Sequence, residues 1–320
     1  MQALTSRSHT QPLAWQELPD RPLRRDEVRV DVRAVGVNPV DWKMRQGELL
    51  GVAQRIIGPS GPLVVGVDFA GDVCAVGEAV TDLKVGDRVV GGTDFSRGQH
   101  GSYARQVQVR ADQCAILPAD VDYAEAACLP VAGVSAQSCL LDLGQIDRKT
   151  DARALILGAS GGVGHFAVQL AHLYGARSVG VCSTRNVALV QRLGAVAIDY
   201  SVTGGDIQAA AAERGPYDVI VDTVGTATYS HALCRGLLRP GGKHALVMPR
   251  PADYLRLALP GPTVTMLGRP NRQNLTPLVA QLAARTLQVV IAARIPLGDA
   301  EQAHQQSRGG KVVGKLVLVA

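Results

Sequence analysis

The stretch ALILGASGGVGHFAVQLAH, residues 154–172, constrains the fold of this chain more than any other. An apolar run ends at Gly158, further glycines follow at 161, 162 and 164, and apolar residues then recur at helical spacing. Gly161 and Gly162 let the backbone approach a phosphate, Gly164 lets a helix pack on a strand, and the helix N-terminus offers N–H groups and positive potential. This order of strand, turn and helix predicts a dinucleotide pyrophosphate site lined by Ser160, Gly161, Gly162 and Val163. A tight turn without a ligand is the alternative.

Composition excludes several classes of protein. With 320 residues, 47% hydrophobic and 19% charged, the chain is long and apolar enough for two folded domains. Its net charge of +5 is spread along the sequence, so no nucleic-acid partner is expected. Residues 154–176 carry no charge, yet their glycines, Gln169 and two histidines favour a buried soluble segment over a membrane span. The first ten residues lack the apolar block of a signal peptide, so we expect a cytoplasmic protein without a membrane partner.

Two patterns of secondary structure follow one another along the chain. Residues 1–122 alternate short β-branched runs with glycine and proline turns, which predicts a mostly antiparallel β-domain. Residues 123–287 alternate strands and helices, which predicts a doubly wound parallel sheet of the Rossmann type. Its six strands are expected in ARALILG, SVGVCS, AVAIDY, YDVIVDTVG, KHALVMP and TVTMLG. Residues 288–320 are expected to return to the first domain, so that one domain is inserted into the other. The fold class is therefore α/β.

The end of the second strand indicates which dinucleotide is bound. An NAD site places an acidic residue there for the ribose hydroxyls, whereas VCSTRNVALV, residues 181–190, contains no acid. Ser183 and Arg185 could bind a 2′-phosphate, the guanidinium through paired hydrogen bonds. The sequence therefore favours NADPH, with an ordinary surface arginine as the alternative.

With both halves in view, the chain resembles the zinc-free branch of the medium-chain dehydrogenase/reductase superfamily, in the quinone oxidoreductase and alkenal reductase group. The resemblance covers essentially the whole chain, and it implies a GroES-like β-domain around the Rossmann domain. It is carried by GVNPVDWKMRQG, GVDFAGDVCAVGEAVTDLKVGDRVVG, GSYA, CLPVAGVSA, LILGASGGVG, CSTRNVALVQRLGAVAIDY and GKLVLV.

The resemblance also indicates that no metal is bound. Zinc alcohol dehydrogenases of the superfamily have a cysteine where this chain has Asn38, and histidine and glutamate where it has Val67 and Asp68. Valine cannot ligate zinc, and PVAGVSA offers no cysteine as a third ligand. Zinc-dependent alcohol oxidation is therefore not expected.

The resemblance implies roles for further residues. Asn38 is expected near the nicotinamide or the substrate oxygen, with a turn asparagine as the alternative. Relatives carry a tyrosine at or next to Lys43, so Lys43 could donate a proton or stabilise an enolate, or simply be solvated. Tyr103 is a candidate for the pocket, or a core aromatic residue. The remaining residues expected at the cofactor are Ser135, Tyr200, Val224, Gly225, Met248 and Asn271.

These expectations combine into one function, a zinc-independent transfer of hydride from NADPH to a quinone or to the conjugated C=C of an α,β-unsaturated carbonyl. Two alternatives stay open: an enoyl reductase for a larger biosynthetic intermediate, and an NADPH-binding protein with little turnover. By analogy with the family, the edge strand TVTMLG is expected to pair with a second copy in a homodimer.

Overall fold

The computed structural model describes residues 1–6, 11–46, 62–266 and 268–320. These residues form two compact units. The first unit comprises residues 1–134, 269–286 and 291–320, and the second comprises residues 135–268 and 287–290. The chain thus leaves the first unit, builds the second and returns, which is the predicted inserted arrangement.

The first unit contains two β-sheets. A three-stranded antiparallel sheet has the order β2-β1-β4, from β1 (Gln2–Ser6), β2 (Ala14–Glu17) and β4 (Leu63–Val64). A larger sheet has the order β15-β16-β3-β5-β6-β8, and β7 also pairs with β3. Its strands are β3 (Glu27–Val37), β5 (Asp68–Val76), β6 (Arg88–Gly92), β7 (Gln106–Arg110), β8 (Cys114–Ile116), β15 (Ile291–Pro296) and β16 (Lys315–Val319). Alternating residues of β3 and β5, such as Val28, Val30 and Phe69, lie in its core.

The second unit is built on a six-stranded parallel sheet with the order β11-β10-β9-β12-β13-β14. The strands are β9 (Arg153–Leu157), β10 (Arg177–Cys182), β11 (Val196–Asp199), β12 (Tyr217–Asp222), β13 (Leu238–Leu246) and β14 (Thr263–Thr265). In order of occurrence this is 3-2-1-4-5-6, the doubly wound order of dinucleotide-binding domains. All six predicted strands are present, and the predicted fold class is confirmed.

Ten α-helical segments accompany the strands in the described residues. Those of the first unit are α1 (Pro39–Arg45), α2 (Tyr123–Ala126), α9 (Arg272–Ala283) and α10 (Ala300–Arg308). Those of the second are α4 (Gly164–Leu173), α5 (Val187–Arg192), α6 (Gln208–Ala212), α7 (His231–Leu237) and α8 (Asp253–Leu257), and α3 (Val134–Gln137) lies where the units meet in the sequence. Every residue of α4 from Gly164 to Ala171 is buried, which explains the absence of charge in this segment.

The segment Tyr123–Leu143 is a helix with two π-helical stretches, Leu129–Gly133 and Ser138–Leu143, the first of them at the break predicted near Pro130. By length and composition alone it could cross a membrane, but 67% of its most apolar window is buried inside the protein. A core helix passes the same test, so this segment is weak evidence for a membrane span.

The unit boundaries differ from the predicted 122/123 and 287/288. Residues 123–134 and 269–286 belong to the first unit. Contacts within that unit explain the difference, because Arg272 donates hydrogen bonds to the carbonyl oxygens of Ala111 and Cys114, and Arg285 pairs with Glu125. Helical periodicity alone could not assign α9 to a sheet so distant in sequence.

Candidate functional site

The carboxyl ends of β9 and β12 lie side by side where the strand order of the second unit reverses, the position at which doubly wound sheets bind ligands. Gly158 follows β9 with a φ of +79°, a conformation that glycine adopts without strain. A Cβ at this position would lie 2.4 Å from Thr223 Oγ1, just after β12. The two strand ends therefore meet closely only because residue 158 has no side chain.

The predicted packing role of Gly164 follows from the geometry. A Cβ on Gly164 would lie 2.1 Å from the carbonyl oxygen of Gly158, and one on Gly161 would lie 3.2 Å from that same oxygen. Helix α4 therefore begins directly against the end of β9. The helix follows directly on the turn that contains Ser160, Gly161, Gly162 and Val163, a strand–turn–helix order that fits a bound pyrophosphate.

Asn186 connects two of the predicted cofactor residues. Its Nδ2 donates to Ser160 Oγ at 2.9 Å and to Ser183 Oγ at 3.3 Å, and the residue is 8% exposed. Ser183 and the exposed Arg185 flank Thr184 in a short turn of 3₁₀-helix, Thr184–Asn186. Asn186 was not predicted from the sequence, although its position one residue after Arg185 was a signal that could have identified it.

An acidic residue also lies near this turn, on the neighbouring strand. Asp199 is paired in register with Cys182, the last residue of β10. A hydrogen bond from Thr184, and further ones from the Ser201 and Val202 backbone, lower the pKa of Asp199. Its carboxylate is therefore ionised close to the predicted 2′-phosphate position. Tyr200 follows it and is 41% exposed.

The segment after β12 is held by a carboxylate. Asp222 Oδ1 accepts the backbone N–H of Val224 at 2.9 Å and of Gly225 at 2.7 Å. Gly225 has a φ of +106°, and Val224 is 47% exposed at the carboxyl edge of the sheet. Met248 follows β13 at the same edge and is half-buried. The structure thus gathers the predicted residues Ser160, Ser183, Val224 and Met248 beyond the ends of four adjacent strands.

In the first unit, Asn38 belongs to a buried cluster with Asp68 and Lys315. Lys315 Nζ lies 2.5 Å from Asn38 Oδ1 and 3.4 Å from Asp68 Oδ2, and Asn38 Nδ2 donates to Asp68 Oδ2 at 2.8 Å. All three side chains are at most 3% exposed. Burial raises the pKa of Asp68, against the ammonium of Lys315 and the amide of Asn38, which lower it. Both the Oδ1 and the Nδ2 atoms of Asn38 therefore form hydrogen bonds within the first unit, which favours a structural role for this residue.

A second buried chain adjoins this cluster. Asp41 Oδ2 accepts the Asn38 N–H at 2.8 Å and the Tyr103 hydroxyl at 3.3 Å, and that hydroxyl lies 3.1 Å from His304 Nε2. Burial raises the pKa of Asp41 to about 7, raises that of Tyr103 well above its usual value, and lowers that of His304 to about 4. Tyr103 is wholly buried. This arrangement favours the core alternative over a pocket role for Tyr103.

The other predicted residues are more scattered. Lys43 lies on α1 with its Nζ 5.7 Å from the centre of the Trp42 ring, and it is partly exposed. Asn271 caps α9, where its side chain accepts the N–H of Asn274. Ser135 lies on α3, at the start of the second unit, and is 6% exposed. The functional roles of these three residues stay predictions.

In the part of the chain that the structure describes, one group of side chains has the composition of a metal site. Ligand atoms of Asp222, Cys234 and His244 lie within 4.8 Å of one another, and all three residues are buried. However, His244 Nε2 is already hydrogen-bonded to Asp222 Oδ2 at 3.2 Å, and burial raises the pKa of the Cys234 thiol to about 12. Asp222 and His244 thus form a hydrogen-bonded pair, and the Cys234 thiol beside them is neutral.

A glycine-rich turn at the switch point of a 3-2-1-4-5-6 sheet defines the second unit as a dinucleotide-binding domain. Comparison with known proteins agrees with this class. Residues 24–121 match the alcohol dehydrogenase GroES-like domain family, and residues 193–318 match the zinc-binding dehydrogenase family.

Individual relatives narrow the class. A chloroplastic quinone-oxidoreductase homolog of Spinacia oleracea is 31% identical over 307 residues, which are 92% of this chain and 89% of that protein. The NADPH-dependent alkenal/one oxidoreductase of Arabidopsis thaliana chloroplasts is 37% identical over 210 residues, 63% of this chain and 51% of that protein. The structure of Escherichia coli quinone oxidoreductase complexed with NADPH has a TM-score of 0.80 at 25% identity, over 100% of this chain and 99% of that one.

The chain therefore belongs to the medium-chain dehydrogenase/reductase superfamily, in its quinone oxidoreductase group. At the level of that family it is an oxidoreductase. The family membership predicted from the sequence is confirmed.

Proposed function

We propose that the protein is a zinc-independent, NADPH-dependent reductase of quinones or of the conjugated C=C of α,β-unsaturated carbonyls. The observation that carries this proposal is the set of residues collected at the carboxyl edge of the second unit's sheet. The turn at 158–164 fits a pyrophosphate, and Ser183 and Arg185 follow the second strand without an acid in their own segment. The relatives named for quinone and alkenal reduction agree with it.

The buried cluster of the first unit supports zinc independence. At positions 38, 67 and 68 the chain has asparagine, valine and aspartate. The Lys315 ammonium donates a hydrogen bond to Asn38 Oδ1 and pairs with the Asp68 carboxylate, so both oxygens already have a cationic partner. A divalent ion there would meet the repulsion of that ammonium, and a neutral amide is a poorer ligand than a thiolate.

NADPH, when bound, would supply the hydride. The residues of this chain would then bind and orient the cofactor and the substrate. The turn and the start of α4 would hold the pyrophosphate, and Arg185 the 2′-phosphate, while Asp222 keeps the Val224–Gly225 segment in place. Reduction would leave negative charge on the substrate oxygen, and Lys43 is the proposed source of the proton that the product would take up.

The test is NADPH consumption, followed by absorbance, with a panel of quinones, short alkenals and bulky enones, and with NADH in parallel. Turnover with NADPH well ahead of NADH supports the proposal, and the preferred substrate size separates a general reductase from an enoyl reductase for large intermediates. Tight NADPH binding without turnover of any of these compounds would contradict it and favour a binding role.

Arg185→Leu tests the cofactor preference directly. We expect the KM for NADPH to rise by roughly tenfold and that for NADH to stay the same, because a charge-assisted pair with the 2′-phosphate is lost. Arg192→Leu, an exposed arginine in the last turn of α5, is the matched control and should leave both values unchanged.

A further inference from the structure

Two histidines and a threonine connect a buried aspartate to a second aspartate in the second unit. His244 Nε2 lies 3.2 Å from Asp222 Oδ2, and His244 Nδ1 lies 3.2 Å from Thr263 Oγ1. The same hydroxyl lies 3.3 Å from His231 Nδ1, and His231 Nε2 lies 3.3 Å from Asp253 Oδ1. These five residues, 222, 244, 263, 231 and 253, are called the histidine bridge below.

Both ends of the histidine bridge hold the segment that follows β12. Asp222 Oδ1 accepts the N–H groups of Val224 and Gly225, and Asp253 Oδ1 accepts the hydroxyl of Thr226 at 2.6 Å. The segment and the bridge therefore close a ring of hydrogen bonds. The segment lies at the switch point of the sheet, so its conformation determines what it offers to a ligand there.

Most of the histidine bridge is shielded from water. Asp222 and His244 are wholly buried, and Asp253 and Thr263 are 3% and 6% exposed. The side chain of His231 is 27% exposed, so it is the point at which the bridge can exchange protons with solvent. Buried hydrogen-bonded networks of this kind fix one geometry when every member is satisfied.

The number of protons limits how completely the bridge can form. Its four contacts need four hydrogens, because each joins two nitrogen or oxygen atoms. Two neutral imidazoles and one hydroxyl supply only three, since a carboxylate accepts and does not donate. With one imidazole protonated, all four contacts are made, and one positive charge lies between two carboxylates.

Other titratable or charged groups face the bridge from the elements around it. Arg250 donates its N–H to Asp253 Oδ2 at 2.7 Å and its guanidinium to Thr226 at 2.8 Å. The Cys234 thiol lies beside Asp222 and His244 and stays neutral, because burial raises its pKa to about 12. Burial likewise raises the pKa of Tyr229, near Asp222, to about 12.

We propose that His244, Thr263 and His231 are positioning residues for the cofactor: through their hydrogen bonds to Asp222 and Asp253 they hold residues 222–226 in the binding conformation. This rests on the proposed function in one respect, the contact of Val224 and Gly225 with NADPH. No residue of the bridge except Asp222 adjoins that contact in sequence, so the effect of the others is indirect.

The test compares three variants of β14. Thr263→Val removes the shared hydroxyl and keeps the shape of the side chain, whereas Thr263→Ser keeps the hydroxyl. Thr265→Val is the matched control, because the Thr265 hydroxyl donates to the carbonyl oxygen of Leu246 and takes no part in the bridge. Two quantities are measured for each: amide hydrogen exchange over residues 222–226 without ligand, and the dissociation constant for NADPH.

For Thr263→Val we expect exchange of the Val224 and Gly225 amides to accelerate by about tenfold and NADPH binding to weaken by about tenfold, because the hydroxyl that joins the two imidazoles is lost. Thr263→Ser and Thr265→Val should behave as the wild type.

Unchanged exchange in Thr263→Val, or an equal effect in Thr265→Val, would overturn the proposal. Failure of the wild type to bind NADPH would instead refute the proposed function, and the exchange experiment would still test the bridge in the free protein. If Thr263→Val does not fold, His231→Gln at the partly exposed end of the bridge replaces it, with the same expected acceleration and the same refuting outcome.

Discussion

Replacing Asp41 by asparagine tests the consequence of burying a carboxyl group without a cation of its own. Asp41 is wholly buried, and its Oδ2 accepts hydrogen bonds from the backbone N–H of Asn38 and the Tyr103 hydroxyl. Among the residues that the structure describes, its Oδ1 has no hydrogen-bond partner. Asparagine has nearly the same shape, and its oxygen can accept both hydrogen bonds. The variant therefore imitates the protonated acid at every pH.

The pKa of Asp41 determines the size and the sign of the effect. Burial raises this pKa from 3.8 to about 7 in the folded chain, so folding takes up a proton between these values. The stabilisation from that proton is fully present below the unfolded pKa and is lost as the pH rises through the folded pKa. The difference of roughly three pKa units corresponds to roughly 4 kcal/mol of unfolding free energy.

Urea unfolding of both proteins across this pH range measures the effect, with tryptophan fluorescence as the signal. Both tryptophans, Trp15 and Trp42, lie in the first unit, so the signal reports on the unit that contains Asp41. The two proteins should be equally stable near the low end of the range, and Asp41→Asn should be more stable by up to roughly 4 kcal/mol above pH 7. If the difference in unfolding free energy between the wild type and Asp41→Asn were the same at every pH, Asp41 would have an ordinary pKa in the folded protein. That result would refute the reasoning.

Four further predictions concern the two units. Gly164→Ala should weaken NADPH binding by roughly tenfold or more, measured by titration, because its Cβ would lie 2.1 Å from a backbone oxygen. Gly236→Ala, whose Cβ meets nothing within 4 Å, should instead raise the unfolding free energy by roughly 0.5–1 kcal/mol. Lys315→Met should lower the unfolding free energy by roughly 3–5 kcal/mol, since it leaves Asp68 unpaired, and adding Asp68→Asn should restore part of the loss in urea titrations. Asp199→Asn should lower the KM for NADPH by about two- to threefold but not that for NADH, as a carboxylate near the 2′-phosphate is removed; equal effects on both cofactors would contradict this.

The architecture of the second unit was predictable because its signals are local. The run from residue 154 to residue 172 contains a strand, a glycine turn and a buried helix in one continuous segment, and a Cβ on Gly158 or Gly164 would clash with neighbouring atoms. The strand ends at Cys182 and Asp222 follow from the same alternation. The sequence alone was therefore enough to predict that Ser183 and Val224 lie at the same edge of the sheet.

The polar networks could not be predicted in this way, because their members are far apart in sequence. For Asn38 the sequence left two roles open, a residue near the nicotinamide or the substrate oxygen and a turn asparagine, and it gave no sign that Lys315, 277 residues later, contacts its amide oxygen. Asp199 was overlooked as an acid near Arg185 because it belongs to the adjacent strand, whose register only the structure gives. Such pairings depend on strand order, which periodicity does not determine.

The distance in sequence between Asn38 and Lys315 has a consequence for biosynthesis. Strand β3 receives β5 as a neighbour early, but β16 and its lysine are translated only after the whole second unit. Until then, Asp68 lacks the cation that neutralises it, and the edge of β3 from Ala34 to Val37 has no partner strand. The second unit can fold as it leaves the ribosome, whereas the first unit keeps an unpaired strand edge until β16 has been made. We therefore expect chaperones to bind mainly to the N-terminal part of the chain during synthesis.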